Sequence, residues 1–383
     1  MKAMLHIVTL PGDGIGPEVM ASGVAVLRRA AERFALDVAI EEIPCGGRYY
    51  LDHPGRDWPE GSEERCAAAD LILLGAVGWP SPDGRGPVMF PDGRMAGYSA
   101  VLGNRSRLDL FANVRPIKLY PGVFHRIHGA RKLVWDPAKV DLVFVRENTE
   151  GFYSGAGGIL APGGRADVGT DTRVITRRGS ERILRHAFEL ARERARAGKK
   201  NGKARVTVVS KDNVLRGCQM FCAIAREIAR DYPDVEVEHA LVDSFAMMLV
   251  TDPEKYDVVV STNMFGDILT DLGAVLQGGM GLAIGGNVGV GRAMFEPIHG
   301  SAPALAGKDA ANPMAMILAV AESLRWLSRE KRLDAARRAG DAIESAVADV
   351  LASGAPLTQD LAAPGEGATC SAVTEAIVRA LRA

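Results

Sequence analysis

Short apolar runs of β type alternate with longer amphipathic stretches along this chain, and that alternation restricts the fold more than any other feature. Residues 5–10 read as a buried strand, and 38–43, 71–77, 142–145, 206–209, 235–237 and 258–260 as further strands carrying Val, Ile or Leu. Helical spacing separates most of them. The stretch 17–34 opens on Pro17, which suits a first helical turn. In 180–196, Ile183, Leu184, Ala187 and Leu190 share one face, with Arg and Glu opposite. Residues 217–230, 313–327, 334–351 and 371–381 have helical character too. The expectation is an α/β protein with substantial parallel sheet.

No linker, repeat or low-complexity tract interrupts this order. The least regular stretches, 80–97 and 155–172, are rich in Gly, Pro and Asp. Both read as loops on pattern alone, the second with a hairpin arm as its alternative. At 383 residues and 47% hydrophobic, the chain can bury a large core or two joined domains. A formal net charge of -1 offers no broad basic field for nucleic acid and no polybasic membrane anchor. The N-terminus lacks a signal-peptide pattern and no apolar run is long enough to span a bilayer, so a cytoplasmic protein is expected. The cysteines (Cys45, Cys66, Cys218, Cys222, Cys370) are scattered and odd in number, which argues against a disulfide framework. Cys218 and Cys222 stand one helical turn apart with no His or Cys pair nearby in sequence; buried helix residues are the plainer reading, a zinc site the sharper one.

Chemistry concentrates in a few places. Asp267 and Asp271, in Asn-Met-Phe-Gly-Asp-Ile-Leu-Thr-Asp, are four apart, so on a helix both carboxylates project from one face. Acids at that spacing repel, and oxygen donors of this kind suit Mg2+ or Mn2+; the plain alternative is two solvated acids. Asp243 is a third candidate ligand, or a helix cap. Arg105, Arg115 and Arg146 adjoin apolar stretches, where a guanidinium needs a partner: a substrate carboxylate, or Glu147, Asp109 or Glu150. Lys211 ends a strand and is a candidate base; Tyr153 is a candidate acid or a packing residue. Gly12-Asp13-Gly14-Ile15-Gly16-Pro17-Glu18 is a Gly-rich turn between strand and helix, able to approach a phosphate or simply to turn. Phe295–Pro303, a run with one His that continues to Asn312-Pro313, reads as a loop that could wrap a nucleotide.

Together these segments, with Gly-Ala-Val-Gly-Trp-Pro at 75–80 and Val-Arg-Glu-Asn-Thr-Glu-Gly-Phe-Tyr at 145–153, resemble the isocitrate/isopropylmalate family of β-decarboxylating dehydrogenases over almost the whole chain. The resemblance implies an isopropylmalate-dehydrogenase-like fold of two α/β domains around a central cleft, not a Rossmann fold. Residues 1–110 and 278–383 would form the cofactor domain, and 111–277 an inserted substrate, metal and dimerisation domain with 155–172 as an arm. In a homodimer with shared sites, Lys211 and Asp243 would serve the partner's cleft. Arg105, Arg115 and Arg146 would grip substrate carboxylates. Asp243, Asp267 and Asp271 would hold Mg2+ or Mn2+, Lys211 would act in the proton relay, and Tyr153 would protonate the enolate. Ile15, Asn213, Glu296, His299, Gly300, Ser301, Ala302, Ala304 and Asn312 would contact the dinucleotide.

Departures from the family pattern bear on specificity. NAD-linked members carry an Asp where this chain has Ala304, and NADP-linked isocitrate enzymes carry Lys-Tyr where it has Ala304-Leu305. Lacking the cationic replacement, the chain is expected to use NAD rather than NADP. Ser99 matches the isocitrate pattern, but Val101 stands where that pattern has Asn, with Leu102 beside it. Glu150 and Gly-Ala-Val-Gly-Trp-Pro lean toward the tartrate/D-malate branch. The expected substrate is a malate-type 2-hydroxy acid, D-malate or tartrate first, then 3-isopropylmalate, then isocitrate or homoisocitrate. A non-catalytic regulatory paralogue would be expected to have lost a metal acid, the Lys or the Tyr, and an anion-binding module would not need both Lys211 and Tyr153.

Overall fold

Strand Leu71–Ala76 is buried at every position, so both of its faces must be covered, which is the arrangement of a parallel sheet layered with helices. A computed structural model describes residues 4–381. The chain divides into two compact units. One comprises Met1–Leu110, Leu119–Pro137 and Gln277–Ala383; the other comprises Phe111–Lys118 and Ala138–Leu276. Measured against the insertion expected at 111–277, Leu119–Pro137 groups with the first unit.

In the first unit the strands run in the order Ile284–Val288, Ala293–Pro297, Leu71–Ala76, Leu5–Gly12, Val38–Glu42. Leu5–Gly12 is parallel to both neighbours, with Ile7 opposite Ile40 on one side and Leu71 on the other. Ala293–Pro297 is parallel to Leu71–Ala76 and antiparallel to Ile284–Val288. Helix Met314–Lys331 is apolar on most sides because it lies on those last two strands and also against helices Gly16–Phe34 and Asp334–Ser353.

In the second unit the order is Val235–Leu241, Ala204–Ser210, Val258–Ser261, Asp141–Glu147, Ala112–Lys118. The first three pairings are parallel and the last is antiparallel. Helix Arg177–Arg196 turns Ile183, Leu184, Ala187, Phe188 and Ala191 onto a core that includes Val206, Val208, Phe221 and Val258. Strands Gly157–Leu160 and Val168–Asp171 pair antiparallel, so 155–172 forms the hairpin rather than a plain loop. Ile159, Leu160 and Val168 on it are exposed.

Two expectations are corrected here. The run from Phe295 is not all loop, since Phe295, Glu296 and Pro297 belong to a strand. Ala112–Lys118 and Ile284–Val288 are strands that the pattern did not show, because Pro116 and the Gly285-Gly286 pair read as breakers. All five cysteines are free and buried. Among the described residues no helix is long and apolar enough to cross a membrane.

Candidate active site

The second unit carries most of the expected chemistry. Strand Asp141–Glu147 passes beneath helix Asn263–Leu276, and the approach is close: a Cβ added at Gly266 would lie 2.8 Å from Arg146 Cβ. A glycine at that position is therefore a packing requirement. Arg146 is 2% exposed and fully engaged. Its Nε and Nη2 donate to Asn263 Oδ1 at 3.0 and 2.7 Å, and its Nη1 donates to Asp267 Oδ1. Arg115, also buried, is gripped from behind by Asn113 Oδ1 and Thr270 Oγ1, both at 2.6 Å. It reaches Asp267 Oδ1 at 3.3 Å and Asp271 Oδ1 at 3.5 Å. Tyr153 donates its hydroxyl to Asp267 Oδ2 at 3.0 Å, and Arg146 lies 5.5 Å from its ring. Burial, with the Asp267 charge beside it, raises the Tyr153 hydroxyl above its ordinary range, so the group stays protonated.

Arg115, Arg146, Tyr153, Asp267 and Asp271 thus form one network, and the two acids are not simply solvated. Burial raises the Asp271 carboxyl above its usual range; Asp267 adds to this, against the pull of Arg115. An acid pair on one helical face, made of hard oxygen donors and still partly open, fits Mg2+ or Mn2+. Asp243 is not with them: among the described residues, no trio of Asp243, Asp267 and Asp271 has its ligand atoms within 4.8 Å. Asp243 sits in the first turn of helix Val242–Thr251 and accepts from Lys211 Nζ at 2.7 Å, which holds its carboxyl below the usual range. Lys211 opens a turn closed by Val214 N and Leu215 N on its carbonyl, at 3.2 and 2.9 Å, and Asn213 is exposed in that turn.

Glu150, a branch marker in the sequence, makes a local contact at a helix start. Its carboxylate accepts from Thr176 N at 3.0 Å and Thr176 Oγ1 at 2.7 Å, at the start of helix Arg177–Arg196. It fastens a helix end.

In the first unit the expected cofactor residues converge through backbone contacts. Ile15 N donates to Ser301 O at 2.8 Å, and a Cβ at Gly14, whose φ is +61°, would lie 1.9 Å from that same oxygen. Only glycine allows this approach. Ser301 Oγ donates to Gly78 O at 2.5 Å. Asp13 ties two neighbouring segments to its own turn, accepting from Gly47 N and Gly78 N at 2.8 Å and from Arg48 N at 2.9 Å. Gly300 and Ala304 are exposed, Ala304 on a single turn that follows Ala302 at φ 39°. Asn312 Oδ1 accepts from Met314 N at 3.0 Å, and its Nδ2 donates to Asp360 at 2.9 Å. His299 Nε2 is buried without a hydrogen-bond partner, and burial lowers the imidazole so that it is neutral at pH 7.

Arg105 pairs with none of its expected acids. Its Nη2 donates to Glu296 Oε1 at 2.8 Å, and Asn287 Nδ2 donates to the same oxygen at 2.8 Å. Arg105 Nε is buried without a hydrogen-bond partner. Ser99 N donates to Asp57 Oδ2 at 3.0 Å, Val101 packs against a core cluster that includes Leu74 and Ala100, and Leu102 is 39% exposed. Asp13, Asp57, Asn113, Asn263, Thr270 and Asn287 were not singled out from the sequence. Asp13, Asn263 and Thr270 sit inside recognised motifs and Asn113 stands two residues before Arg115; Asp57 and Asn287 are lone polar residues whose role appears only with their distant partners.

The description "isocitrate/isopropylmalate dehydrogenase" matches residues 6–377. The chain is 40% identical over 373 residues to the 3-isopropylmalate dehydrogenase of Frankia casuarinae, covering 95% of this chain and 100% of that one. It is 36% identical over 383 residues to the decarboxylating D-malate dehydrogenase of Escherichia coli K12, covering 99% of each. The crystal structure of isocitrate dehydrogenase from Methylococcus capsulatus superposes with a TM-score of 0.83 at 36% identity, covering 99% of this chain and 100% of that one.

Proposed function

The chain belongs to the isocitrate/isopropylmalate dehydrogenase family and is a decarboxylating dehydrogenase; from that premise we propose that it oxidises a malate-type 2-hydroxy acid with NAD and releases the β-carboxylate as CO2, D-malate or tartrate being preferred. The observation that carries this reading is the single network of Arg115, Arg146, Tyr153, Asp267 and Asp271. Its groups match the charges of the reaction: guanidinium forks for carboxylates, an acid pair for a divalent ion, and a protonated phenol.

Arg115 and Arg146 bind the substrate carboxylates, oriented by Asn113, Thr270 and Asn263 behind them. Asp267 and Asp271, with Asp243 of a second copy, would hold Mg2+ or Mn2+, which supplies Lewis acidity at the C2 oxygen. Lys211 Nζ of that second copy takes the hydroxyl proton, and Tyr153 Oη delivers a proton to C3 once the carboxylate has left. A homodimer is supported by apolar side chains exposed on the second unit: Ile159 and Leu160 on the hairpin, Met247 and Ile268 on helices Val242–Thr251 and Asn263–Leu276.

Substrate choice rests on the segment before Arg105. With Val101 in place of Asn, a third carboxylate there would lack a hydrogen-bond partner, a loss of ~1–3 kcal/mol. Nor is Arg94 free to supply one, since it is tied to Asp92 at 2.7 Å and stacked on Tyr98 at 4.8 Å. Leu102, partly exposed, favours 3-isopropylmalate as the second reading. The test is a panel of D-malate, tartrate, 3-isopropylmalate and isocitrate, each with NAD and NADP, followed by reduced nicotinamide. The expected kcat/KM falls in that order, with NAD ahead. Isocitrate ranking first would overturn the substrate reading, and no turnover with any acid would point to a regulatory paralogue.

A further inference from the structure

Away from the Asp267 network, the second unit brings an imidazole, a carboxylate and a thiol to one point. His239 comes from strand Val235–Leu241, Asp212 from the turn after Ala204–Ser210, and Cys222 from helix Arg216–Ala229. Their ligand atoms lie within 4.8 Å of one another. His239 Nε2 is 3.1 Å from Asp212 Oδ1. Ser210 Oγ stands 3.1 Å from Cys222 Sγ and 3.2 Å from both Asp212 Oδ1 and His239 Nε2. Around a tetrahedral zinc ion, bond lengths of about 2.0–2.3 Å separate neighbouring ligand atoms by roughly 3.3–3.6 Å. The separations from Ser210 Oγ and between His239 and Asp212 need only a few tenths of an ångström of expansion to admit an ion, and Cys222 Sγ lies within 4.8 Å of both other ligand atoms. We propose that Asp212, Cys222 and His239 form a binding site for a zinc-class transition-metal ion, with Ser210 Oγ or a water in the fourth position.

This assignment is independent of the reading above. The donor sets differ in kind: oxygen only at Asp267 and Asp271, but sulfur, nitrogen and oxygen here, which selects Zn2+ or Co2+ over Mg2+. His239 is exposed and provides an entry path, while buried Cys222 closes the inner side. Burial pushes the Cys222 thiol up to about 11, so the ion must displace its proton to solvent and affinity should rise with pH. Asp212 directly follows Lys211, whose backbone N donates to Cys218 Sγ at 3.3 Å. A bound ion would therefore fix the Lys211–Asn213 turn.

The test is a Co2+ titration of the chelator-stripped full chain in saturating Mg2+, read by absorption. The expected result is a thiolate-to-cobalt charge-transfer band that saturates at a single equivalent per chain. Cys222→Ser should remove the band, and His239→Ala should weaken Co2+ binding by at least about tenfold. Cys218→Ser and Asp267→Asn should leave the band in place. The proposal is overturned by absence of the band at saturating Co2+, or by a band lost with Cys218→Ser and kept with Cys222→Ser. If Cys222→Ser does not fold, unchanged Co2+ affinity in His239→Ala overturns it alone.

Discussion

In the unit that carries Asp267, the candidate site residues hold one another through their side chains. Arg146 is bound by Asn263 and Asp267, Arg115 by Asn113, Thr270 and both acids, and Tyr153 by Asp267. In the unit that carries His299, the turns at Ile15 and Ser301 are held through the main chain instead, although Glu296 and Asn312 keep side-chain partners. Ile15 N meets Ser301 O, Asp13 collects three amides, and the His299 Nε2 atom has no partner. Charged groups that must meet charge are costly to bury unless they are paired in advance. A surface that must fit a large, extended ligand needs shape, and backbone supplies shape without committing side chains. Changes in the first region should therefore act on chemistry, and changes in the second on affinity.

The largest effect expected is from chelation, which should reduce turnover to background, with Mg2+ or Mn2+ restoring it. Full activity in excess chelator would show that the acid pair serves only the arginines. Next is Tyr153→Phe, expected to slow the overall reaction by about 10²-fold or more. Reduction of a preformed 2-keto acid should suffer less, and the thermal midpoint should hardly move because the ring is half-exposed. Lys211→Met should instead impair hydroxyl oxidation directly. Equal, mild losses in every partial reaction would dissolve the contrast with the backbone-held loops.

A smaller effect tests those loops. Ala304→Asp places an acceptor on an exposed turn and should tighten NAD roughly five- to tenfold, about one hydrogen bond, at unchanged kcat. It should disfavour NADP through repulsion of the 2′-phosphate; a shift toward NADP would mean that the turn does not face the ribose. The smallest effect concerns His299. Its buried imidazole titrates below its ordinary value, so the unfolded chain binds the proton more readily. The stability contribution is present above about pH 6.5 and fades as pH falls through the lowered value, with a slope of at most about 1.4 kcal/mol per pH unit. His299→Asn should flatten the thermal midpoint between pH 7 and 5, and an unchanged slope would place the titration elsewhere.

What could be read in advance follows from how local the signal is. The helix that presents Asp267 and Asp271 was legible because four-residue spacing and an apolar entering strand lie within one short stretch. The strand Ala112–Lys118 was not, since Pro116 suppresses a local signal that its pairing with Asp141–Glu147 overrides. The partner of Arg105 was sought in a substrate carboxylate or among Asp109, Glu147 and Glu150. It proved to be Glu296, which is brought alongside by strand Ala293–Pro297. Cys222 was judged against the residues of its own helix, and His239 reaches it from a different strand.

By itself the sequence determined the α/β alternation, the family, and the identity of the charged groups, because periodicity and motif spacing are properties of neighbours along the chain. Tertiary structure alone decided which charges neutralise which, that Glu150 fastens a helix end, and that a thiol, an imidazole and a carboxylate share a corner. Such pairings depend on distances between segments far apart in sequence. Those distances are set by how strands register and helices pack, and electrostatic and coordination energies fall off too steeply with distance to be read from order alone.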